Sequence, residues 1–386
     1  MNSLKLILTN LKYFAPVWVF SSLNFIIGTW VLYIPYVKEK LELNDSELGL
    51  ALFSLALGVL LFIPFVPFLS KKIGLGRYTL IGVLLFSMAF LLPLLATSYL
   101  MLCVSLFFAG VFLGTTDVAM NALVSEVERN NTCSIMSAAH GFFSLGGALG
   151  AMLGSLLMPF FTKPFYHMVV MVSFIILVNL VLGKHYFLIA EKVVPKEKTS
   201  YHFKTLKPLY TIALIAFVIM CSEGAIEHWS TLYFTEVIGV AKNNLAGIGF
   251  IVFSTTMTIG RFFGDKISEN IGSIKIILLG CVLASIGYLA ILTSQFYTSI
   301  LGFGILGLGL SVIIPELFRI AGKTEGVNAS VGISFVSGVG FVGFLLGPVI
   351  LGYISNTFNL KVSFFALFIL SIVAFLTALT KRKIKF

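Results

Sequence analysis

Long apolar runs, separated by short polar or charged stretches, follow one another along most of this sequence. Most runs hold about 20 residues, the length an α-helix needs to cross the hydrocarbon core of a bilayer. Segments of alternating polarity, typical of membrane β-barrels, do not occur. We therefore predict an all-α membrane protein. Its twelve predicted spans lie at 13–36, 46–69, 78–97, 99–125, 134–160, 165–187, 208–236, 244–268, 273–294, 297–320, 328–355 and 361–380.

The composition supports this prediction. Hydrophobic residues make up 58% of the 386 residues and charged residues only 11%, whereas soluble domains carry roughly 25% charged residues. The 38 phenylalanines argue against disorder. The cysteines have no CxxC spacing, so we expect neither a disulfide framework nor a metal site, and no cofactor. They are Cys103, Cys133, Cys221 and Cys281.

The distribution of positive charge predicts the orientation. The net charge is +10, and all but five of the 26 Lys and Arg residues fall at the termini or in the even-numbered connections. The positive-inside rule then places both termini in the cytoplasm. This asymmetry accounts for the basic charge without a nucleic-acid partner. The five exceptions are Lys38, Lys40, Lys163, Lys242 and Lys361.

A lysine-rich segment, 188–207, separates two halves that resemble each other. We predict a six-helix bundle in 1–187, a cytoplasmic linker in 188–207 and a pseudo-symmetric six-helix bundle in 208–386. Transporters built from such parallel repeats bind their substrates near the middle of the membrane. The matching pairs, 197 or 198 residues apart, are Gly141/Gly338, Gly146/Gly343, Gly150/Gly347, Gly110/Gly307, Ile73/Ile271 and Gly74/Gly272.

Residues 260–266 (GRFFGDK), followed by Ile271-Gly272, resemble the cytoplasmic loop motif of the major facilitator superfamily. The equivalent first-half loop, 67–77, keeps the basic residues and glycines but lacks the Asp. The resemblance implies a monomeric secondary transporter for a small-molecule substrate. It also implies a multi-pass protein in the lipid bilayer of the bacterial inner membrane.

A second resemblance, to the fucose–proton symporter branch, rests on residues 114–121 (GTTDVAMN) and 136–141 (MSAAHG). It implies that Asp117 takes part in proton coupling. Asp117 lies nine residues before Glu126, hence roughly 13 Å from the end of its span. A structural, hydrogen-bonded carboxylic acid is the alternative. Asn121, one turn further along, is a candidate to bind substrate or Asp117.

Other titratable side chains within the predicted spans are candidates for proton coupling, because ionisable groups in a membrane are costly and usually functional. His140 lies six residues into the fifth span and could relay a proton, or simply bond a backbone carbonyl. Glu223 and Glu227 share a helix face, so their mutual repulsion favours a proton on one of them. The spacing of Glu227 and His228 does not match a metal-binding motif.

Polar and aromatic residues of the first and seventh spans are candidates for substrate binding. Asn24 lies near the midplane, where the fucose symporter branch carries an acid, so fucose itself is not implied. Aromatic rings with a polar group can stack on sugars, or form interfacial belts. The substrate-binding candidates are Asn24, Trp30, Tyr33, Asn121, His228, Trp229 and Tyr233.

Charged residues near the predicted cytoplasmic ends of the eighth and tenth spans are candidates for a gate. Arg261, Asp265, Glu316 and Arg319 are expected to form salt bridges between helices. Glu316 and Arg319 could instead pair within one turn of their own helix.

These patterns predict a transporter rather than an enzyme. We expect proton-coupled symport of a small polar solute, such as a sugar or a related metabolite, by alternating access. Proton-driven export of amphipathic compounds is the first alternative, and a sensor or partner protein that carries no solute is the second. ATP is not expected to drive transport, because no GxxxxGK[ST] motif occurs.

Overall fold

A computed structural model describes the backbone of residues 3–131, 133–190, 203–241, 245–325, 327 and 329–380. Within these ranges all regular secondary structure is helical and no strand is formed. Helices satisfy their own backbone hydrogen bonds, which is the requirement that a bilayer imposes on a spanning segment.

Ten helices precede the linker. They are α1 (Ser3–Thr9), α2 (Leu11–Val31), α3 (Ile34–Lys40), α4 (Asp45–Phe62), α5 (Val66–Ile73), α6 (Leu75–Ala89), α7 (Leu92–Leu95), α8 (Tyr99–Asn131), α9 (Met136–Leu157) and α10 (Pro164–Gly183).

Seven more helices follow it. They are α11 (Tyr210–Leu232), α12 (Ile248–Ile271), α13 (Ser273–Leu292), α14 (Phe296–Ser311), α15 (Ile313–Lys323), α16 (Ala329–Thr357) and α17 (Leu360–Thr380). Short 3₁₀ segments, and a π-helical turn after α11, extend or join some of these helices.

Eleven helical segments of the described chain are long and apolar enough to cross a membrane. The predicted span 244–268 corresponds to α12, whose apolar part, Ile248–Phe263, is shorter. The helix continues beyond this apolar part, through Asp265 and Lys266 of the loop motif, to Ile271. The full count of twelve remains a prediction.

The chain forms two compact units. The first comprises Met1–Val193 with Val240–Ile251, and the second comprises Val194–Gly239 with Val252–Phe386. In the first unit α2 packs chiefly on α9, and α4 on α8. In the second, α11 packs chiefly on α16, and α13 on α14.

The repeat found in the sequence is visible in the backbone. Gly74 ends α5 with a φ of +95°, and Gly272 ends α12 with a φ of +87°. Both values lie in the left-handed region, which favours glycine because a Cβ atom would be strained there. A new helix begins directly after each glycine. The matched Ile-Gly pairs therefore perform the same sharp turn in both halves.

Matched glycines also make matched helix contacts inside each unit. A Cβ atom on Gly146 of α9 would overlap the backbone carbonyl of Ser21 in α2, and one on Gly343 of α16 would overlap that of Phe217 in α11. Small residues allow such close approach of helices in membranes. Further matched contacts are Gly150 on Phe25 with Gly347 on Cys221, and Gly110 on Leu55 with Gly307 on Phe253.

We predict that Gly347→Ala destabilises the protein by about 1–3 kcal/mol, because the added methyl group must push the Cys221 backbone away. Gly338→Ala in the same helix is the matched control, since nothing lies within 4 Å of the position its Cβ would occupy. Thermal unfolding in detergent measures both. Equal melting temperatures for the two variants would contradict the proposed role of these contacts.

Candidate functional site

The acidic segment of α11 lies in the interior of the second unit. Glu223 is 14% exposed at its side chain, and Glu227, one turn further along, is 8% exposed. Four-residue spacing puts the two carboxyl groups on one face of the helix. Two acids are thus placed side by side within a span.

Glu223 forms an ion pair with Arg261 of α12. The Arg261 Nη2 lies 3.3 Å from the Glu223 Oε2, and the arginine side chain is also 14% exposed. The other carboxyl oxygen of Glu223 is buried and has no hydrogen-bond partner in the described part of the chain. Arg261 therefore pairs with only one of the two carboxyl oxygens of Glu223.

This ion pair gives Arg261 a partner that the sequence did not predict. The sequence places Arg261 near the cytoplasmic end of its span, but α12 continues for ten residues beyond it, roughly 15 Å. The long arginine side chain reaches Glu223, and the role of Arg261 in a gate stays a prediction.

Glu227 differs from Glu223 because no described side chain or backbone group forms a hydrogen bond or ion pair with its carboxyl group. Its neighbour His228 donates from Nδ1 to the carbonyl of Gly224 at 2.9 Å. A carbonyl can only accept, so Nδ1 carries the proton and, in the neutral ring, Nε2 is the acceptor. The segment thus holds an uncompensated acid next to an oriented imidazole.

Trp229 and Tyr233, predicted to bind substrate, are fully buried and serve as packing anchors in this structure. The Trp229 indole donates to the carbonyl of Pro348 at 3.1 Å. The Tyr233 hydroxyl donates to the carbonyl of Ile291 at 2.9 Å, and its ring packs on Phe364. Each has an exposed fraction of 0%, so neither presents a surface to a ligand in this conformation.

In the first unit, Asp117 lies partly exposed on α8. Its carboxyl group has no hydrogen bond or ion pair within the described chain. The side chain of Asn121 donates to the backbone carbonyl of Asp117 at 2.9 Å rather than to its carboxyl group. His140 is exposed and packs edge-on against Phe20, and no hydrogen bond joins it to Asp117. The proposed roles of Asp117 in proton coupling and of His140 in proton relay stay predictions.

The candidates of α2 are buried. Asn24 donates to the carbonyl of Phe143 at 3.0 Å, while its side-chain oxygen has no described partner. Trp30 packs against Phe90.

Tyr33 lies between α2 and α3, where its hydroxyl is 2.8 Å from Nδ1 of His167. His167 has an exposed fraction of 0%, and it is absent from the sequence predictions. The sequence signal that could have identified His167 is that it is an ionisable residue within a predicted span.

Among the gate candidates, Glu316 and Arg319 form an ion pair within one turn of α15, with 3.0 Å between Arg319 Nη1 and Glu316 Oε1. Their sequence spacing had indicated this pairing as the alternative to a salt bridge between helices. Arg319 also donates to the hydroxyl of Ser268 in α12 at 3.0 Å, so it joins two helices. The side chain of Asp265 lies outside the described residues. In the described residues no group of three or more His, Cys, Asp or Glu side chains is arranged to hold a metal ion.

Comparison with known proteins finds a matching family model and several similar membrane proteins. The family model described as Major Facilitator Superfamily matches residues 17–324 and 241–385. Membrane protein MosC of Rhizobium meliloti is 30% identical over 341 residues, covering 87% of this chain and 81% of its own. An uncharacterized MFS-type transporter of Yersinia pestis is 29% identical, with 92% of each chain covered.

Multidrug resistance protein 2 of Bacillus subtilis is 26% identical, again with 92% of each chain covered. Among solved structures, a mutant form of the nucleoside transporter NupG has a TM-score of 0.75. It covers 97% of this chain and 100% of its own, at 12% identity, which shows the fold alone.

We predict that removing either member of the Glu223–Arg261 pair destabilises the protein, because the remaining charged group loses the ion-pair partner that lies 3.3 Å from it. Glu223→Gln and Arg261→Gln should each cost about 3 kcal/mol. The double variant should cost less than the two single losses together, with a coupling of about 1–3 kcal/mol. Thermal unfolding of the four proteins measures the coupling. Additive losses would show that the pair contributes nothing.

Proposed function

The chain belongs to the major facilitator superfamily, and from this premise we propose that it is a proton-coupled symporter of a small polar solute. Transport proceeds by alternating access in a protein of twelve spans, arranged as two six-helix bundles. The protein works in a bacterial inner membrane as a monomer, with both termini in the cytoplasm, as its Lys and Arg distribution favours.

The arrangement of Glu223, Glu227 and Arg261 is the observation that carries this proposal. Arg261 compensates one carboxylate through the 3.3 Å ion pair, while the second acid has no cation beside it. When Glu227 binds a proton, its carboxyl group becomes neutral and the uncompensated charge is removed. When the proton is released, the negative charge returns. Because an uncompensated charge is costly inside a membrane, binding and release of this proton can change the relative stability of two transporter states.

Asp117 is a second proton carrier in this proposal. Its carboxyl group has no described partner, so a proton or a solute group is what would satisfy it there. The likeness of residues 114–121 to the fucose–proton symporter branch supports the same role. Asp117 lies within a span of the first unit and Glu227 within a span of the second, and no ion pair to either carboxyl group occurs among the described residues.

Export of amphipathic compounds is the second candidate function. It is favoured by the similarity to Multidrug resistance protein 2 of Bacillus subtilis and to quinolone resistance protein NorA of Staphylococcus aureus. Import and export require the same proton chemistry but opposite directions of solute movement. Deletion of the gene separates them, because loss of an exporter sensitises cells to toxic compounds.

A thermal-shift screen of the purified protein tests the substrate class. Sugars, sugar acids, nucleosides, peptides and amphipathic drugs are added at two pH values. A ligand at about 100 times its dissociation constant adds roughly 2.7 kcal/mol of stability. Polar hits whose affinity changes with pH would support symport. Hits restricted to amphipathic drugs would replace it with export.

We predict that Glu227→Gln and Asp117→Asn each abolish solute-driven proton movement in proteoliposomes, since an amide cannot carry the proton. A pH-sensitive dye inside the vesicles measures the movement after a polar hit from the screen is added. Glu236→Gln, the same chemical change at an exposed position beyond α11, is the control and should retain wild-type coupling. Unchanged proton movement in either variant would remove that residue from the mechanism.

A further inference from the structure

The turn between α5 and α6 lies against the segment that follows α10, at one end of the first unit. The backbone amide of Gly76 donates to the carbonyl of Ile189 at 2.8 Å. A Cβ atom on Gly76 would overlap the carbonyl oxygen of Tyr186, so a glycine permits this close approach. The two segments therefore form one corner of the surface.

Four exposed basic side chains lie on this corner. Lys71 and Lys72 belong to the last turn of α5, Arg77 to the first turn of α6, and Lys184 directly follows α10. We call these four residues the basic corner. The Lys and Arg distribution assigns this end of the spans to the cytoplasmic face of the membrane.

An aromatic ring links the two segments of the basic corner. The guanidinium carbon of Arg77 lies 6.0 Å from the centre of the Phe187 ring, within the range in which a cation is attracted to the face of a ring. Arg77 nevertheless stays exposed. Its planar set of N–H donors, which matches the geometry of a phosphate group, is therefore accessible.

No acid compensates the basic corner within the described part of the chain. None of its four side chains forms an ion pair there, and residues 71–77 and 183–190 contain no Asp or Glu. The acids near the end of α8 have other partners. Glu126 pairs with Arg129, and Glu128 accepts a backbone hydrogen bond from the start of α9 at 2.7 Å.

The repeat shows that the turn itself does not require this charge. Residues 71–77 read KKIGLGR, and the equivalent residues 269–275 read ENIGSIK. Both turns use a glycine with a positive φ, Gly74 and Gly272. The first sequence carries three cations and no acid, whereas the second carries one lysine and one glutamate. Because both turns belong to the same proposed face, membrane orientation alone does not account for the difference.

Apolar side chains are exposed beside the basic corner. Phe68 lies one turn before Lys72 and is 68% exposed, and Ile73 is 38% exposed. On the other segment Leu188 is 71% exposed. A ligand that combines a negative group with apolar chains would therefore match this surface.

From this arrangement we infer that the basic corner binds the phosphate group of an anionic phospholipid, with the acyl chains against the neighbouring apolar side chains. Clusters of Lys and Arg at the cytoplasmic ends of spans attract anionic lipids, and the paired N–H groups of an arginine bind phosphate oxygens strongly. This site goes beyond the proposed function, because it concerns the lipid around the protein and requires neither a solute nor a proton.

Thermal unfolding of the purified full chain in detergent tests the site, with phosphatidylglycerol, phosphatidylcholine or inorganic phosphate added. Phosphatidylcholine carries its phosphate beside a neutralising cation, and inorganic phosphate has no acyl chains. We expect phosphatidylglycerol to raise the melting temperature and to bind about tenfold more tightly than phosphatidylcholine. Equal effects of the two lipids would overturn the proposal. An equal effect of inorganic phosphate would also overturn it, since the ligand would then be a soluble anion.

Variants locate the bound lipid. Each lost cation should weaken phosphatidylglycerol binding about fivefold, in Arg77→Gln and in the double variant Lys71→Gln/Lys72→Gln. Arg77→Lys, which keeps the charge, should retain most of the affinity. Lys275→Gln is the matched control, because this exposed lysine is the equivalent of Arg77 in the second half.

Melting temperatures without lipid separate lost binding from lost stability. The substituted side chains are exposed, so each variant should unfold as the wild type does in detergent alone. Wild-type lipid affinity in both Arg77→Gln and the double variant would place the lipid elsewhere and overturn the proposal. An equal loss of affinity in Lys275→Gln would do the same, because it would show attraction to the whole face rather than to the basic corner.

Discussion

Close contact between helix backbones is the interaction on which the rest of this structure depends. Lipid tails are as apolar as the side chains, so burial of apolar surface does not drive the helices together within a bilayer. Glycines at the helix contacts supply the alternative, because they let one backbone approach the carbonyl groups of the next. Gly146 and Gly150 fix α9 against α2, and Gly343 and Gly347 fix α16 against α11. Since α11 carries Glu223 and Glu227, its packing also positions the candidate site.

The two units share these contacts but differ in their buried charges. The matched glycines of α9 and α16 contact equivalent residues, Ser21 and Phe25 in α2 and Phe217 and Cys221 in α11. These contacts align α2 with α11 at an offset of 196 residues. At that offset Glu223 corresponds to Ile27 and Glu227 to Val31. Asp117 in turn corresponds to Ile314 at the offset of 197. The duplicated scaffold therefore specifies packing, whereas the chemistry is specific to each half.

The helices and the repeat were predictable because they depend on local patterns. Apolar runs indicate spans, and the matched Ile-Gly pairs indicate the turns at Gly74 and Gly272, where the backbone adopts positive φ values. The acids of α11 were also predictable, since an ionisable residue within an apolar run is conspicuous.

The partners of these residues were not predictable from local patterns. Arg261 reaches Glu223 across 38 positions of sequence, and Tyr33 reaches His167 across 134. Both contacts depend on which helices pack together and on the length of the side chains. The hydrogen-bond partner of Trp229 likewise comes from another helix, since α16 supplies the carbonyl of Pro348. A single sequence indicates that a side chain is polar, but it does not indicate which residue of another helix that side chain contacts.

We propose that the acids of the spans couple solute movement to protons. Comparing solute exchange with net accumulation in proteoliposomes of the Glu227→Gln variant tests it most directly. Exchange of labelled for unlabelled solute needs no net release of a proton, whereas accumulation against a gradient does. We predict that exchange persists while proton-driven accumulation is lost. Accumulation at the wild-type level would contradict it.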